Sequence, residues 1–290
     1  MEMKPPPLMA VSKACCKPAP PALQISIEGK EESMAGLSVY VVGSFTASAA
    51  IILVSDVFGW MTPQLRKLAD KAAAAGYLAI VPDYMHGDPF KPSPEGGRAG
   101  FAEWIVKHHP EGGVEVTKEM VKIIKSKGIS AVGLAGFCWG SKVAALVGKE
   151  PNIVEAIVQL HPSLVQASDY EDVKAHIAVL AAPSDGVDKH ADILSAHTQI
   201  DTFLKVFPNV KHGWTVKYDM DNHEEVAEAE AAHQMMFSWF DKYLIGNQVL
   251  SLHCPFNGNG SLTTSIPQVL SPYDLNSDGS VTTSTPEVLP

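Results

Sequence analysis

The sequence predicts an α/β protein: a mostly parallel central sheet with helices on both faces. Three observations carry that expectation. Short, continuously apolar runs such as Ile51-Ile52-Leu53-Val54 recur along the chain, and continuous apolarity marks strands covered on both sides. Helix-length stretches separate these runs, the alternation expected of a parallel sheet. One run, Ala131-Val132-Gly133-Leu134-Ala135, passes through Gly136-x-Cys138-x-Gly140 directly into a small-residue helical stretch ending at Gly148.

That last pattern is the most specific. Strand, Gly-x-nucleophile-x-Gly, helix is the nucleophile elbow of the α/β-hydrolase fold, here with Cys138 as the nucleophile. The nucleophile of such an elbow sits in a sharp, strained turn. The backbone there leaves no room for a Cβ two residues before or after it, which accounts for Gly136 and Gly140. The turn places the sulfur at a helix N-terminus, where backbone N–H groups favour thiolate over thiol. The alternative role for a cysteine flanked by apolar residues is that of a small core hydrophobe.

The other elements follow in order. Val39 to Gly43 forms a strand, and Ala50 to Val54 forms a buried strand leading into Ser55-Asp56-Val57-Phe58-Gly59. In this fold one oxyanion-hole N–H comes from the residue after the nucleophile and one from the loop after that strand, which designates Trp139 and Val57. Asp56 lies beside them, as a site residue or as a strand-end capping group. A helix over 62–75 starts at Thr62 as N-cap with Pro63 in its first turn, and Gly76 ends it. The strand 77–83 leads to a Pro/Gly-rich loop reaching Gly100. Loops at strand carboxyl ends line the site of an open α/β sheet, so His86, Asp88 and Phe90 are pocket candidates. His86-x-Asp88 has no second pair of ligands, and no metal is expected.

A helix over 113–127, the elbow and a strand over 153–160 come next. His161 ends that strand, where a hydrogen-bonded structural histidine fits. The apolar run 175–182 ends in Asp185 within a loop, and Phe203 to Phe207 forms a last strand before His212. Nucleophile, acid and histidine then follow in chain order, each after a strand. Cys138, Asp185 and His212 are the expected triad, with Asp188 as the second candidate acid. His212 would take the thiol proton and Asp185 would orient the imidazole. The closing helix covers 223–244, with Met235-Met236-Phe237 and Trp239-Phe240 packing inward. Its acids, His223 and His233 are assigned to a solvated face.

Composition excludes several classes. The 290 residues suffice for one α/β domain with tails, and a formal net charge of -10 argues against a nucleic-acid partner. No apolar run reaches the roughly 20 residues that span a bilayer, and the N-terminus lacks the apolar core of a signal peptide. Four cysteines in a chain of this length do not make a disulfide framework, which points to a reducing, cytoplasmic setting. The domain is expected over 23–245. Residues 1–22 form a Pro-rich flexible leader with Cys15-Cys16, and 246–290 a disordered Ser/Thr/Asn/Gly/Pro-rich tail. Within the tail, Asp274-x-Asn276-x-Asp278-Gly279 matches half a calcium loop. Thr285 stands where such a loop needs Glu, so no calcium site is expected. Asn259-Gly260-Ser261 is a sequon without a secretory context.

These residues resemble the dienelactone hydrolase family. The matching stretches are Gly136-Phe137-Cys138-Trp139-Gly140, the strand and loop 52–59, the run 177–185, 203–216 with His212-Gly213-Trp214, and Val81-Pro82-Asp83 with His86-Gly87-Asp88-Pro89. The chain looks closest to the plant branch, some of whose members are named endo-1,3;1,4-β-glucanases. The resemblance implies a cofactor-free hydrolase acting on an ester or lactone of a small molecule. It implies a Cys-His-Asp triad, and the reaction expected on it passes through an acyl-thioenzyme; Asp56, Phe58, His86, Phe90 and Trp214 are the residues expected to line the pocket. Two departures stand out. Bacterial members carry Glu at the position of Asp56, and an Arg four residues after the histidine, where this chain has Val216 followed by Lys217. The expected assembly is a monomer or homodimer, without membrane or nucleic-acid partners. The alternative function is a scaffold recruited to non-hydrolytic chemistry, such as isomerisation, cyclisation or acyl transfer.

Overall fold

The computed structural model describes residues 28–93 and 97–246. The expectations for the leader, Cys15-Cys16, the sequon and the calcium-like fragment fall outside those residues.

Eight strands form one sheet: β1 (Lys30–Met34), β2 (Leu37–Val42), β3 (Ala49–Val54), β4 (Leu78–Pro82), β5 (Ala131–Phe137), β6 (Ala156–Leu160), β7 (His176–Ala181) and β8 (Thr202–Val206). Their spatial order is β1-β2-β4-β3-β5-β6-β7-β8. The pairings of β2 with β1 and β4 are antiparallel, and all others are parallel. The apolar runs become central strands because alternate residues enter opposite cores. Ala50, Ile52 and Val54 of β3 belong to one hydrophobic cluster, while Ala49, Ile51 and Leu53 belong to the other.

Helices cover both faces. The first cluster includes Met120, Val121 and Ile124 of α3 (Gly112–Ser126) and Val143, Ala144 and Val147 of α4 (Trp139–Gly148), each set repeating at helical spacing. Leu65, Leu68 and Ala72 of α1 (Pro63–Ala74) and Met236 and Phe240 of α7 (His223–Phe240) fill the second. The short helices α2 (Phe101–Lys107), α5 (Ala167–Glu171) and α6 (Ala191–Ser195), together with β1, add to the elements expected from the sequence.

Two local expectations need correction. Thr62 occupies the N-cap position of α1 but makes no capping bond; its Oγ1 donates instead to the Gly59 carbonyl at 3.1 Å, closing the turn before the helix. His233 is not on a solvated face. It is buried under Tyr218, and its Nε2 donates to the Thr215 carbonyl at 2.8 Å. The acids around it mark the outer side of α7 but do not report that His233 lies one step round the helix, toward the sheet. The N-terminus of α7 is capped by Asn222, whose Oδ1 accepts from the N–H groups of Glu224 and Glu225 at 3.1 and 3.3 Å.

Parallel pairing brings the carboxyl ends of the central strands to one edge. The register sets Val54 beside Gly136, Phe137 beside Leu160, and Ala181 beside Val206. Asp56, Cys138, His161, Asp185 and His212 all lie within a few residues of those strand ends, so one sheet edge gathers them.

Candidate active site

Cys138 stands between β5 and α4 with φ 51° and ψ -105°, a conformation rare for a residue with a side chain. Its surroundings hold it there. Its N–H donates to the Leu160 carbonyl at 3.0 Å, and its carbonyl accepts from the N–H groups of Ser141 and Ser163 at 3.2 and 3.1 Å. The flanking glycines are sterically required. A Cβ at Gly136 would strike the Gly140 carbonyl, and one at Gly140 would strike the carbonyls of Val54 and Ser55. The Gly140 carbonyl is held in the first turn of α4 and the Val54 carbonyl at the end of β3, so backbone would have to move in either case.

His212 follows β8 and presents Nδ1 to Asp185 Oδ1 at 2.6 Å, with both side chains fully excluded from solvent. Asp185 ends a 3₁₀ turn after β7, and its other oxygen accepts from the Ala182 N–H at 2.7 Å. That second bond fixes the carboxylate plane. Asp188 is exposed in the next turn, and Asp185 is the acid that meets His212. The His212 Nε2 is buried and closes no hydrogen bond at ordinary distance, but it faces Cys138, whose sulfur interacts with it. A long contact of this kind is common in unliganded catalytic sites. Burial opposes charging the imidazole. The negative charge of Cys138 and the bond to Asp185 outweigh it and push the His212 pKa up to about 9.

The neighbouring polar groups are as buried as the triad. Asp56 accepts the Phe58 N–H at 2.9 Å through Oδ1, and its Oδ2 lies 3.8 Å from Lys217 Nζ. Burial raises the Asp56 pKa to about 6; Lys217 pulls it back, and the charge of Cys138 pushes in the same direction as burial. Lys217 spans the site with its ammonium 5.0 Å from the Phe58 ring centroid. Val216, in contrast, is buried in the α1/α7 core. His161 packs edge-on against His212 with ring centroids 5.1 Å apart, and its Nε2 pairs with Thr215 Oγ1 at 2.8 Å. Burial, then the charges of His212 and Lys217, hold its pKa well below the usual value, so it is neutral.

The other residues singled out from the sequence are distributed differently. Val57 leads out of β3, and its carbonyl accepts the Phe90 N–H at 2.8 Å. Phe90 packs beneath that loop against Phe101 and Trp104. The Trp139 indole donates to the His108 carbonyl at 2.7 Å, which ties the first residue of α4 to the end of α2. His86 is exposed, with φ 50°. Trp214 lies behind the site, between Phe207 and His161. Lys217 and Ser163 are site residues that motif spacing did not designate. Lys217 reaches the site through the turn after His212, and Ser163 through the loop after β6. Neither turn geometry is encoded in a recognisable motif.

Among the described residues no group of histidines, cysteines and acids is placed to hold a metal ion, and no helix is long and apolar enough to cross a membrane. An endo-1,3;1,4-β-D-glucanase of Zea mays is 39% identical over 150 residues, which cover 52% of this chain and 47% of the maize protein. The chain thus spans about half the length of that relative. A carboxymethylenebutenolidase homolog of Xenopus tropicalis is 29% identical over 77% of this chain and 94% of its own length. A crystal structure of a dienelactone hydrolase from Klebsiella pneumoniae, described as putative, superposes with a TM-score of 0.62 at 22% identity, covering 76% of this chain and all of that one. That likeness establishes the α/β-hydrolase fold. The model of the dienelactone hydrolase family matches residues 37–244, and the chain belongs to that family of hydrolases.

Proposed function

We propose that the protein hydrolyses an ester or lactone of a small molecule, with Cys138 as nucleophile, His212 as proton carrier and Asp185 as its orienting acid. The observation that carries this reading is the 2.6 Å contact of His212 with Asp185, with the opposite ring nitrogen turned to a cysteine held at a strained elbow. The Cys138 thiolate adds to the substrate carbonyl carbon. The N–H groups of Val57 and Trp139 hold the oxyanion. The intermediate collapses as His212 delivers its proton to the leaving oxygen, leaving an acyl-thioenzyme. His212 then removes a proton from water, which attacks the thioester and releases the acid and the thiol. No cofactor takes part, and a reducing compartment such as the cytoplasm keeps the thiol usable.

The same donor set argues against glycoside hydrolysis. That chemistry uses two carboxyl groups flanking the scissile bond. Here Asp185 is committed to His212 and the Ala182 N–H, which leaves Asp56 alone beside the sulfur.

Brief exposure to a panel of p-nitrophenyl esters, with intact mass and p-nitrophenol release followed together, tests the reading. A transient acyl adduct and turnover, both absent in Cys138→Ala, are expected. Turnover that persists in the variant would remove Cys138 from the mechanism. One observation favours a second reading, non-hydrolytic chemistry: Asp56, with its pKa raised to about 6, stands ready beside the nucleophile as an additional acid or base. Reaction in ¹⁸O-water separates the two, since only hydrolysis places label in the product carboxylate.

A further inference from the structure

The loop after β6 reaches the Cys138 sulfur through Ser163. The loop is attached to the elbow at two points: the Cys138 N–H donates to the Leu160 carbonyl at 3.0 Å, and the Ser163 N–H donates to the Cys138 carbonyl at 3.1 Å. Between and beyond these anchors, His161 and Leu164 both take positive φ, 41° and 66°, so the loop is held in a tight, costly path. The outcome of that path is the position of Ser163 Oγ, 3.5 Å from Cys138 Sγ and buried with it.

We propose that Ser163 is a further catalytic residue, whose hydroxyl is a second hydrogen-bond partner of the Cys138 sulfur beside His212 and stabilises its thiolate. The proposal rests on the reading of Cys138 as nucleophile and extends it. A hydroxyl can accept from a thiol and, by rotating, donate to a thiolate without moving its oxygen. Such a donor acts on the sulfur together with His212. Asp56 after β3 repels the thiolate, while His212 and Lys217 after β8 attract it, and neutral His161 beside Ser163 contributes no charge. A hydrogen bond to an ionised group is stronger than one to a neutral group, so Ser163 favours ionisation of Cys138 in competition with Asp56.

The test is the ultraviolet absorption of the Cys138 thiolate as a function of pH in the full chain, taken as the difference between each protein and its Cys138→Ala counterpart. In Ser163→Ala the titration midpoint is expected to rise by about one pH unit, a roughly tenfold smaller thiolate fraction on the acidic limb. Ser163→Thr, which keeps the hydroxyl, is expected to return the midpoint toward that of the unsubstituted protein. The thermal midpoint of each variant is recorded alongside. A folded Ser163→Ala protein with an unmoved titration, or a chain in which no Cys138 thiolate forms, overturns the proposal. The readout needs no substrate. An absence of ester turnover with the Ser163 effect intact would count against the hydrolytic reading alone, and turnover without the Ser163 effect against this proposal alone.

Discussion

His212 and Asp185 meet at 2.6 Å across the ends of two neighbouring parallel strands, with neither side chain open to solvent. Removing the charge of Asp185 while keeping its shape therefore acts on His212 directly. In Asp185→Asn the imidazole loses its anionic partner and its fixed tautomer, and turnover of any ester the protein accepts is expected to fall by about 10³–10⁴-fold. The alkaline limb of the pH–rate profile, set by a His212 pKa of about 9, should move toward neutrality. An unmoved limb would assign it to another group.

Asp56 and Lys217 bias Cys138 in opposite directions. Asp56→Asn removes a negative charge beside the sulfur, so thiolate formation is expected to extend to lower pH. Lys217→Met removes the counter-charge and should raise the pKa of both Asp56 and Cys138, so that each ionises only at higher pH. The pH dependence of the thiolate signal in the two variants checks both signs. Shifts in the same direction would show that the pair does not act on the sulfur through charge.

Gly140 lies against the carbonyls of Val54, the last residue of β3, and of Ser55 just beyond it. Gly140→Ala is expected to lower stability by about 3 kcal/mol or more, since the clash is with backbone in the centre of the sheet. The denaturation midpoint reads the effect. A loss below about 1 kcal/mol would mean that the elbow can relax.

His233 adds an acid-sensitive element. Burial, then the charge of Lys71, lowers its pKa to about 4, with Glu230 opposing and the Tyr218 ring packed beside it. An unfolded chain binds that proton near the usual value of about 6.5. The stability contributed by neutral His233 is therefore present above about pH 6.5 and is lost as pH falls toward about 4. His233→Gln keeps a donor for the Thr215 carbonyl but does not titrate. Its melting temperature should decline less over that range, by the equivalent of roughly 3 kcal/mol at the acid end. Parallel curves for the two proteins would place the acid sensitivity elsewhere.

Much of the architecture was legible in the chain because it depends on local pattern. Continuous apolar runs can only be satisfied between two helical layers, and Gly136-x-Cys138-x-Gly140 encodes its own turn through the Cβ atoms it lacks. The chain order of Cys138, Asp185 and His212 follows from the same strand-by-strand reading, since each ends a strand of a parallel sheet. Tertiary structure decided what local pattern does not contain. Asp185 rather than Asp188 meets His212 because a single 3₁₀ turn aims one inward and leaves the other exposed. Lys217 rather than Val216 reaches Asp56 because the turn after His212 sends adjacent residues to opposite sides. Ser163 comes to the sulfur, and His233 enters the core, through distances of 25 and 18 residues along the chain. Apolar periodicity determines which side of an element is buried. Which polar atoms then face one another is set only when separate strands and loops are packed together.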